Sequence, residues 1–311
     1  MVQKVLILGG KGMLGQALFD LFTHDPQYEV VAWDKEDVDV TQFEELREKI
    51  EAVAPTFILN CVAYNAVDPA EEDEAEYQKA LLLNRDVPKE LASIANDLEA
   101  TLVHYSSDYV FDGEIEQAMK SGCGSSSCCG GNCHGGGEKG YGQNAFPNPL
   151  SRYGESKALG EQEVMGRAKK YYLIRLSKLF GKPGVSEVAK KSFFDVMLGA
   201  GKTKDEVQAV DSETSCFTYA PDLAMATKDL LEDKAPYGIY HLTNTGAVTW
   251  YQAVVELYRQ AGLTTKITPV TPDAFPRPAK RPEYSALINT KRPPLRRYEV
   301  ALAEYLSEEN L

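Results

Sequence analysis

The chain has 311 residues, of which 43% are hydrophobic and 25% are charged, a composition typical of globular proteins and too apolar for a disordered one. Acidic residues (46) outnumber basic ones (33) and give a net charge of −13, so the overall field disfavours general binding to nucleic acid. No apolar run approaches the ~18 residues of a transmembrane helix, and the N-terminal run is too short for a signal peptide, so we expect a cytoplasmic protein with reduced thiols and no membrane partner.

Short apolar runs alternate with helical stretches through the first half of the chain. Strands are predicted at residues 5–8, 29–33, 57–61, 101–105 and 171–176. Apolar residues with helical spacing occur at 13–22, 43–53 and 151–165, and Pro88 is predicted to open a further helix in its first turn. This alternation predicts an α/β fold, with a parallel sheet covered by helices on both faces.

The second half is less regular from about Ser177. Residues 238–242 and 249–261 predict one more strand and one more helix. Six prolines between residues 272 and 294 predict little regular structure in the remainder of the chain.

A glycine-rich turn follows the first predicted strand. Gly9, Gly12 and Gly15 form a Gly-x-x-Gly-x-x-Gly pattern between that strand and a helix. The first glycine permits a tight turn, the second lets the backbone approach a pyrophosphate, and the third allows close packing of helix on strand. A dinucleotide site is therefore predicted, and a plain tight turn without a ligand is the alternative.

Asp34 ends the second predicted strand, nineteen residues after the third glycine. A carboxylate there can hold the ribose 2′-hydroxyl of NAD and repel the extra phosphate of NADP, although Lys35 can soften this preference. We therefore expect NADH with NADPH tolerated. Alternatively, Asp34 is a turn residue after a strand.

Three side chains form a candidate catalytic set. Tyr153 and Lys157 are four residues apart on a predicted helix and share one face, and Ser107 follows the fourth strand at the edge where open α/β sheets bind ligands. A nearby ammonium lowers the pKa of a phenol, which can then pass a proton to a carbonyl oxygen as hydride reaches the carbon. Ser107 can bond the same oxygen, and Lys157 can also hold the nicotinamide ribose. A solvated helix face is the alternative.

These residues resemble the extended short-chain dehydrogenase/reductases. Further stretches resemble the dTDP-4-dehydrorhamnose reductase family in particular, at residues 60–68, 105–113, 147–157, 238–244 and 281–285. The resemblance implies a Rossmann domain at residues 1–176 and a smaller α/β substrate domain at 177–311, some segments of which return to the first. It also implies NAD(P)H-dependent reduction of the C4 ketone of dTDP-4-dehydro-6-deoxy-L-mannose to dTDP-L-rhamnose, in cell-surface polysaccharide biosynthesis.

The resemblance assigns roles to matching positions. It implies that Ser107, Tyr153 and Lys157 are catalytic, with Ser107 where the family usually has Thr. The implied cofactor residues are Gly9, Gly12, Met13, Leu14, Gly15, Asp34, Asp39, Ala63, Tyr64 and Lys157. The candidates near the sugar are Val67, Asp108, Tyr109 and Phe111.

A basic spot at Arg277, Lys280 and Arg281 stands out in an acidic chain. It can grip a diphosphate, for which we single out Arg281, or it is a basic surface loop.

Two departures from the family pattern leave the nucleotide sugar open. Residues 214–218 replace a Gly-x-Pro-Thr stretch, and Asn65 replaces the Thr that usually follows the Ala-Tyr pair. A reductase or epimerase of another nucleotide sugar is therefore an alternative. So is a non-catalytic NAD(P)-binding subunit similar to the regulatory subunit of methionine adenosyltransferase. A homodimer is one option for the oligomeric state, which the sequence does not determine.

A segment rich in Cys, Gly and Ser interrupts the first half at about residues 116–138 and is predicted to be an insertion. Cys123, Cys128, Cys129 and Cys133 have spacings that can chelate Zn²⁺ or another metal, with His134 as a spare ligand. The alternatives are a mobile loop with reactive thiols and a redox pair.

Overall fold

A six-stranded parallel sheet forms the centre of the protein. The computed structural model describes residues 2–114, 139–186 and 190–308. The sheet consists of β1 (Gln3–Leu8), β2 (Tyr28–Trp33), β3 (Phe57–Asn60), β4 (Thr101–Ser107), β5 (Tyr171–Leu176) and β10 (Gly238–His241), in the spatial order β10-β5-β4-β3-β1-β2. Every neighbouring pair is parallel. The predicted α/β class is confirmed, and each predicted strand lies within two residues of the observed one.

Helices cover both faces of this sheet. They include α1 (Met13–Thr23), α2 (Phe43–Val53), α3 (Val67–Glu72), α4 (Glu74–Leu81), α5 (Val87–Asp97), α6 (Arg152–Arg167) and α8 (Ala220–Glu232). Successive residues of a strand point to opposite faces. Accordingly, Val5 and Ile7 of β1 pack in the cluster that contains residues of α1 and α8, whereas Leu6 and Leu8 pack in the cluster that contains residues of α2 and α5. Burial on both faces explains why β1 is a continuous apolar run.

A separate core is built mainly by the second half of the chain. Its elements are β6 (Leu179–Phe180), α7 (Phe193–Thr203), β7 (Glu206–Val210), β8 (Thr214–Ser215), β9 (Thr218–Tyr219), β11 (Asn244–Thr245), β12 (Val248–Thr249), α9 (Trp250–Ala261), β13 (Lys266–Val270), β14 (Leu295–Arg297) and α10 (Tyr298–Glu308). Stacked and edge-on aromatic rings fill it, among them Phe180, Phe194 and Phe217. β10 and α8 belong instead to the central sheet and its cover.

The prediction of little regular structure after residue 272 was wrong for the final helix. The buried residues of α10 include Tyr298, Ala301, Leu302 and Tyr305, which is the spacing of a helix with one apolar face. The prolines that motivated the prediction all precede it.

Pro88 lies in the first turn of α5, but the chain before it is also helical. α4 continues into a π-helix at Leu82–Asp86 and then directly into α5. α6 packs closely on the π-helix, because a Cβ at Gly160 would overlap the carbonyl oxygen of Asn84. No helix in the described ranges has the length and apolarity needed to span a bilayer.

Candidate active site

The glycine loop lies where the strand order of the sheet changes direction, between β1 and β3. Open α/β sheets bind ligands in the crevice at this point. Gly9 has a φ of 79°, and a Cβ there would lie 3.2 Å from the Cys61 carbonyl carbon on β3's side of the crevice. A Cβ at Gly15 would overlap the Gly9 carbonyl oxygen. The turn therefore depends on glycine for its backbone conformation at one end and for close helix packing at the other.

The start of α1 is open to an anion. Gly12 is its N-cap and provides no side-chain oxygen for the first-turn amides of Met13 and Leu14. Uncapped amides at a helix N-terminus and the helix dipole together favour a phosphate group. These features fit the diphosphate of a dinucleotide.

Asp34 lies beside this loop and is held in place by the backbone. Its carboxylate accepts the amide N–H groups of Lys11 (2.9 Å) and Lys35 (2.8 Å). The Lys11 ammonium pairs with Glu36 at 3.0 Å. Negative charge therefore dominates the end of β2, which suits a ribose hydroxyl better than a phosphate.

The other predicted cofactor residues have varied environments. Asp39 accepts hydrogen bonds from the backbone and hydroxyl of Thr41, and these hydrogen bonds lower its pKa. Ala63 is exposed beyond β3. Tyr64 is largely buried, and its hydroxyl donates to Glu76 at 2.8 Å.

Ser107 and Tyr153 are brought together by a short 3-10 helix at Asp108–Val110. Ser107 ends β4, and its hydroxyl accepts the Tyr109 N–H at 3.2 Å. Tyr153 lies in the first turn of α6, which packs tightly on the 3-10 helix because a Cβ at Gly154 would overlap the Tyr109 carbonyl oxygen. The Tyr109 and Tyr153 rings meet edge to face at 5.8 Å between centroids.

Burial raises the pKa of Tyr153 to about 12, although a hydrogen bond with Ser107 acts to lower it. The nearby Asp108 carboxylate also raises this pKa. Our prediction that the pKa of Tyr153 lies below its usual value was therefore wrong, because the net shift is upward. The physical reason is that burial disfavours the charged phenolate by more than the hydrogen bond with Ser107 stabilises it.

Lys157 lies one turn after Tyr153 and is 2% exposed. Its ammonium donates to the Tyr105 carbonyl at 2.7 Å. Burial lowers its pKa to about 8, and the charge of Glu161 opposes this shift. The side chain is thus fixed beneath the end of β4 in an orientation set by the backbone.

Asp108 is the centre of a hydrogen-bonded cluster that sequence reasoning missed. One oxygen accepts the hydroxyls of Ser177 (2.8 Å) and Ser285 (2.6 Å), and the other accepts Ser107 (3.1 Å). Burial raises its pKa, and the hydroxyls oppose this. Both oxygens are thus used within the protein, and a place for Asp108 near the sugar stays a prediction. The motif at 281–285 was the one signal that pointed to Ser285.

Phe111 is enclosed as well. It is 1% exposed and stacks on Tyr141 with 4.1 Å between ring centroids. The guanidinium of Arg175 covers it at 5.0 Å from the ring centre. Phe111 therefore packs in the core, and its place near the sugar stays a prediction. Val67 and Tyr109 are only half-buried.

The two arginines of the predicted basic spot pair with acidic side chains. Arg281 donates to both oxygens of Asp68 at 2.6 Å, and Arg277 binds both oxygens of Glu213. The Arg281 guanidinium lowers the pKa of Asp68. These pairs fasten the proline-rich segment 272–285 to α3 on one side and to the residues before β8 on the other.

Cys123, Cys128, Cys129 and Cys133, with their predicted metal, lie outside the described residues. Within the parts of the chain that the structure describes, no group of three or more His, Cys, Asp or Glu side chains is placed to hold a metal ion.

The parallel sheet, the glycine loop at its switch point and the Ser107–Tyr153–Lys157 set define an oxidoreductase of the short-chain dehydrogenase/reductase class. The chain matches the family described as "RmlD substrate binding domain" over residues 3–310 and belongs to that family.

Named relatives extend over almost the whole chain. The spore coat polysaccharide biosynthesis protein SpsK of Bacillus subtilis is 30% identical, with 98% of this chain and 97% of SpsK covered. A crystal structure of a dTDP-4-dehydrorhamnose reductase from Clostridium acetobutylicum has a TM-score of 0.85 at 32% identity, covering 99% of this chain and 100% of that one. The dTDP-4-dehydrorhamnose reductase of Bacillus anthracis in complex with NADP has a TM-score of 0.86 at 27% identity, with the same coverage.

Proposed function

We propose that the protein reduces the C4 ketone of a dTDP-4-dehydro-6-deoxy sugar, giving dTDP-L-rhamnose from dTDP-4-dehydrorhamnose. The observation that carries this proposal is the position of Ser107, Tyr153 and Lys157. Ser107 ends β4 and the other two lie on α6, whereas the glycine loop follows β1, and only β3 separates β4 from β1 in the sheet. The names of the Clostridium and Bacillus anthracis relatives support this substrate. The name of SpsK supports a place in polysaccharide biosynthesis.

Tyr153, Ser107 and Lys157 have different roles in the reduction of the ketone. Tyr153, with a pKa of about 12, holds its proton at neutral pH and donates it to the oxygen as the bond order of the carbonyl falls. Ser107 orients the same oxygen by turning towards it the one hydroxyl proton that otherwise bonds Asp108. When bound, NAD(P)H supplies the hydride that the ketone carbon receives. Lys157 holds the nicotinamide ribose, and its positive charge favours the phenolate left on Tyr153.

We infer that NADH is the preferred coenzyme. The backbone amides that fix Asp34 direct its carboxylate to one place, where a 2′-hydroxyl can donate to it and a 2′-phosphate would be repelled. Gly9, Gly12 and Gly15 with the start of α1 would hold the diphosphate. Met13, Leu14, Asp39, Ala63 and Tyr64 remain proposed neighbours of the dinucleotide.

On the substrate side, we propose that Val67 and Tyr109 line the sugar and that Arg281 lies near the diphosphate. Val67 begins the helix that carries Asp68, so the Arg281–Asp68 pair is held next to it. The second core, which residues 177–311 mainly build, would form the substrate domain.

The test is turnover of dTDP-4-dehydrorhamnose by the purified full chain, followed by loss of reduced-nicotinamide absorbance and by identification of the sugar product. Tyr153→Phe removes only the proton donor and should lower kcat about 10²- to 10⁴-fold. Tyr77→Phe is the matched control, because that hydroxyl bonds Glu155 outside the proposed set.

Equal turnover by Tyr153→Phe and the unmodified chain would reject the acid role. A chain that binds NADH and reduces no nucleotide sugar would reject the reductase proposal and favour a non-catalytic subunit.

A further inference from the structure

Lys178 presents an ammonium group that the proposed mechanism does not use. Its Nζ atom is buried and makes no hydrogen bond within the described residues. The ammonium lies 3.6 Å from the ring centre of Trp250 and 5.2 Å from that of Phe217. These rings attract a cation but leave its three N–H donors without acceptors.

The nearby carboxylates are already occupied. Asp108 accepts three serine hydroxyls, and Glu213 accepts the Trp250 N–H at 3.0 Å as well as the Arg277 guanidinium. Both carboxylates favour the ammonium electrostatically, while burial lowers the pKa of Lys178 to about 8. Asp108 and Glu213 thus stabilise the charge of Lys178 without accepting its N–H groups, which stay available to a ligand.

Lys178 lies at the same edge of the sheet as the candidate catalytic residues. Ser107 is paired with Leu176 in the register of β4 and β5, and Lys178 follows Leu176 by two residues. The intervening Ser177 bonds Asp108, which also bonds Ser107. Ser177, the neighbour of Lys178, is therefore linked through the Asp108 carboxylate to Ser107, whose hydroxyl would orient the ketone.

The backbone at Lys178 is itself unusual, with a φ of 38° in the left-handed region. A non-glycine residue adopts this region at a cost, and such residues concentrate at functional sites. A buried ammonium with unused donors is a second cost. Both costs point to a ligand that supplies an acceptor oxygen.

We propose that Lys178 is a specificity-determining residue whose ammonium binds the hydroxyl on C3 of the sugar, the carbon next to the C4 ketone. This inference rests on the proposed function. C3 is the one ring neighbour of the ketone that carries a hydroxyl, because C5 carries the methyl group and the ring oxygen. The substrate class is therefore a 4-keto-6-deoxy sugar that retains oxygen at C3, rather than its 3-deoxy analogue.

A site that is built to bond a hydroxyl discriminates strongly against a substrate without it, since its buried polar group is then left unpaired. One hydrogen bond from a charged donor should give roughly a 10- to 100-fold preference in kcat/KM for the 3-hydroxy substrate. Replacement of the ammonium by an apolar group of similar length should remove the preference.

The experiment measures kcat/KM for the two dTDP-4-keto-6-deoxy sugars, with and without the C3 hydroxyl, in the full chain and in Lys178→Met. We expect the 10- to 100-fold preference to collapse to about threefold or less in the variant, through loss of activity on the 3-hydroxy sugar alone. Lys234→Met is the matched control, because Lys234 also has a left-handed backbone (φ 48°) but lies exposed in the turn after α8.

Thermal stability separates this role from a structural one. Removal of a buried ammonium should leave the Tm of Lys178→Met unchanged or raised. A lowered Tm with an equal loss on both sugars would overturn the proposal in favour of a packing role on Trp250.

The two proposals fail in different ways. If the unmodified chain turns over both sugars at equal kcat/KM, the assignment of Lys178 is refuted without any variant, and the reductase function stands. If it turns over neither, the proposed function is refuted and the assignment with it.

Discussion

Glu161 and Arg175 form an ion pair in the interior whose removal should strongly destabilise the protein. Their side chains are 0% and 1% exposed, and the guanidinium donates to both carboxylate oxygens at 2.8 and 2.6 Å. The substitution Glu161→Gln keeps the shape but leaves the buried Arg175 charge without a counter-charge. Breaking a buried pair from one side costs about 3–5 kcal/mol.

The amide of glutamine retains one acceptor oxygen, so we expect the lower end of this range, about 3 kcal/mol. For a chain of 311 residues the loss corresponds to a fall in Tm of roughly 4–5 °C. Urea unfolding followed by circular dichroism, together with calorimetry, measures both quantities.

Glu163→Gln is the matched control on the same helix. Glu163 pairs with Arg167, but these side chains are 27% and 49% exposed, and such pairs contribute less than about 1 kcal/mol. Equal effects of the two substitutions, each below about 1 kcal/mol, would refute the argument that the buried pair is needed to compensate Arg175.

The substitution Glu161→Gln should also affect activity. The charge of Glu161 raises the pKa of Lys157 against the larger effect of burial. In Glu161→Gln the pKa of Lys157 should fall below about 8, and the alkaline limb of the activity profile should move to lower pH. An unmoved limb would show that another group controls it.

Three further predictions concern packing, pH and coenzyme choice. Gly160→Ala should destabilise the fold by about 2 kcal/mol or more, because the added Cβ overlaps Asn84. In the control Gly166→Ala, on the same helix, the Cβ meets open space, and the free energy of unfolding should change by less than about 1 kcal/mol. Urea unfolding measures both. Folding lowers the pKa of Lys157, so the buried ammonium destabilises the folded state below about pH 8, and this penalty disappears as pH rises towards 10.5. Over the same pH range the activity should fall, because the ammonium is lost. Profiles of Tm and of kcat/KM against pH test these opposite trends. Asp34→Asn should lower the NADH-to-NADPH ratio of kcat/KM about tenfold or more, because it removes the charge that repels a 2′-phosphate; an unchanged ratio would refute the coenzyme assignment.

Local patterns were sufficient for several features. The apolar run before Gly9 predicted a strand buried on both faces, and the next glycines predicted where α1 would begin. The four-residue spacing of Tyr153 and Lys157 placed them on one helix. Each of these inferences uses residues that interact within a few positions of one another, so the chain carries the information in a short window.

Other features depend on contacts between distant segments. The hydroxyls that hold Asp108 come from Ser177 and Ser285, 69 and 177 residues later in the sequence. Nothing in the periodicity around position 108 distinguishes a carboxylate that faces a ligand from one that is enclosed. For the same reason the carboxylate partner of Arg281, 213 residues away, could not be foreseen.

The sequence alone was enough to specify the α/β class, the dinucleotide loop and the candidate Ser–Tyr–Lys set, because backbone propensity and apolar spacing act over single turns and strands. Three features followed only from the tertiary structure: the direction of the Tyr153 pKa shift, the enclosure of Asp108 and Phe111, and the Lys178 ammonium without a hydrogen bond to any described residue. Burial is the common cause: the solvent removed from a side chain depends on every segment that packs around it, and no local stretch of sequence contains that information.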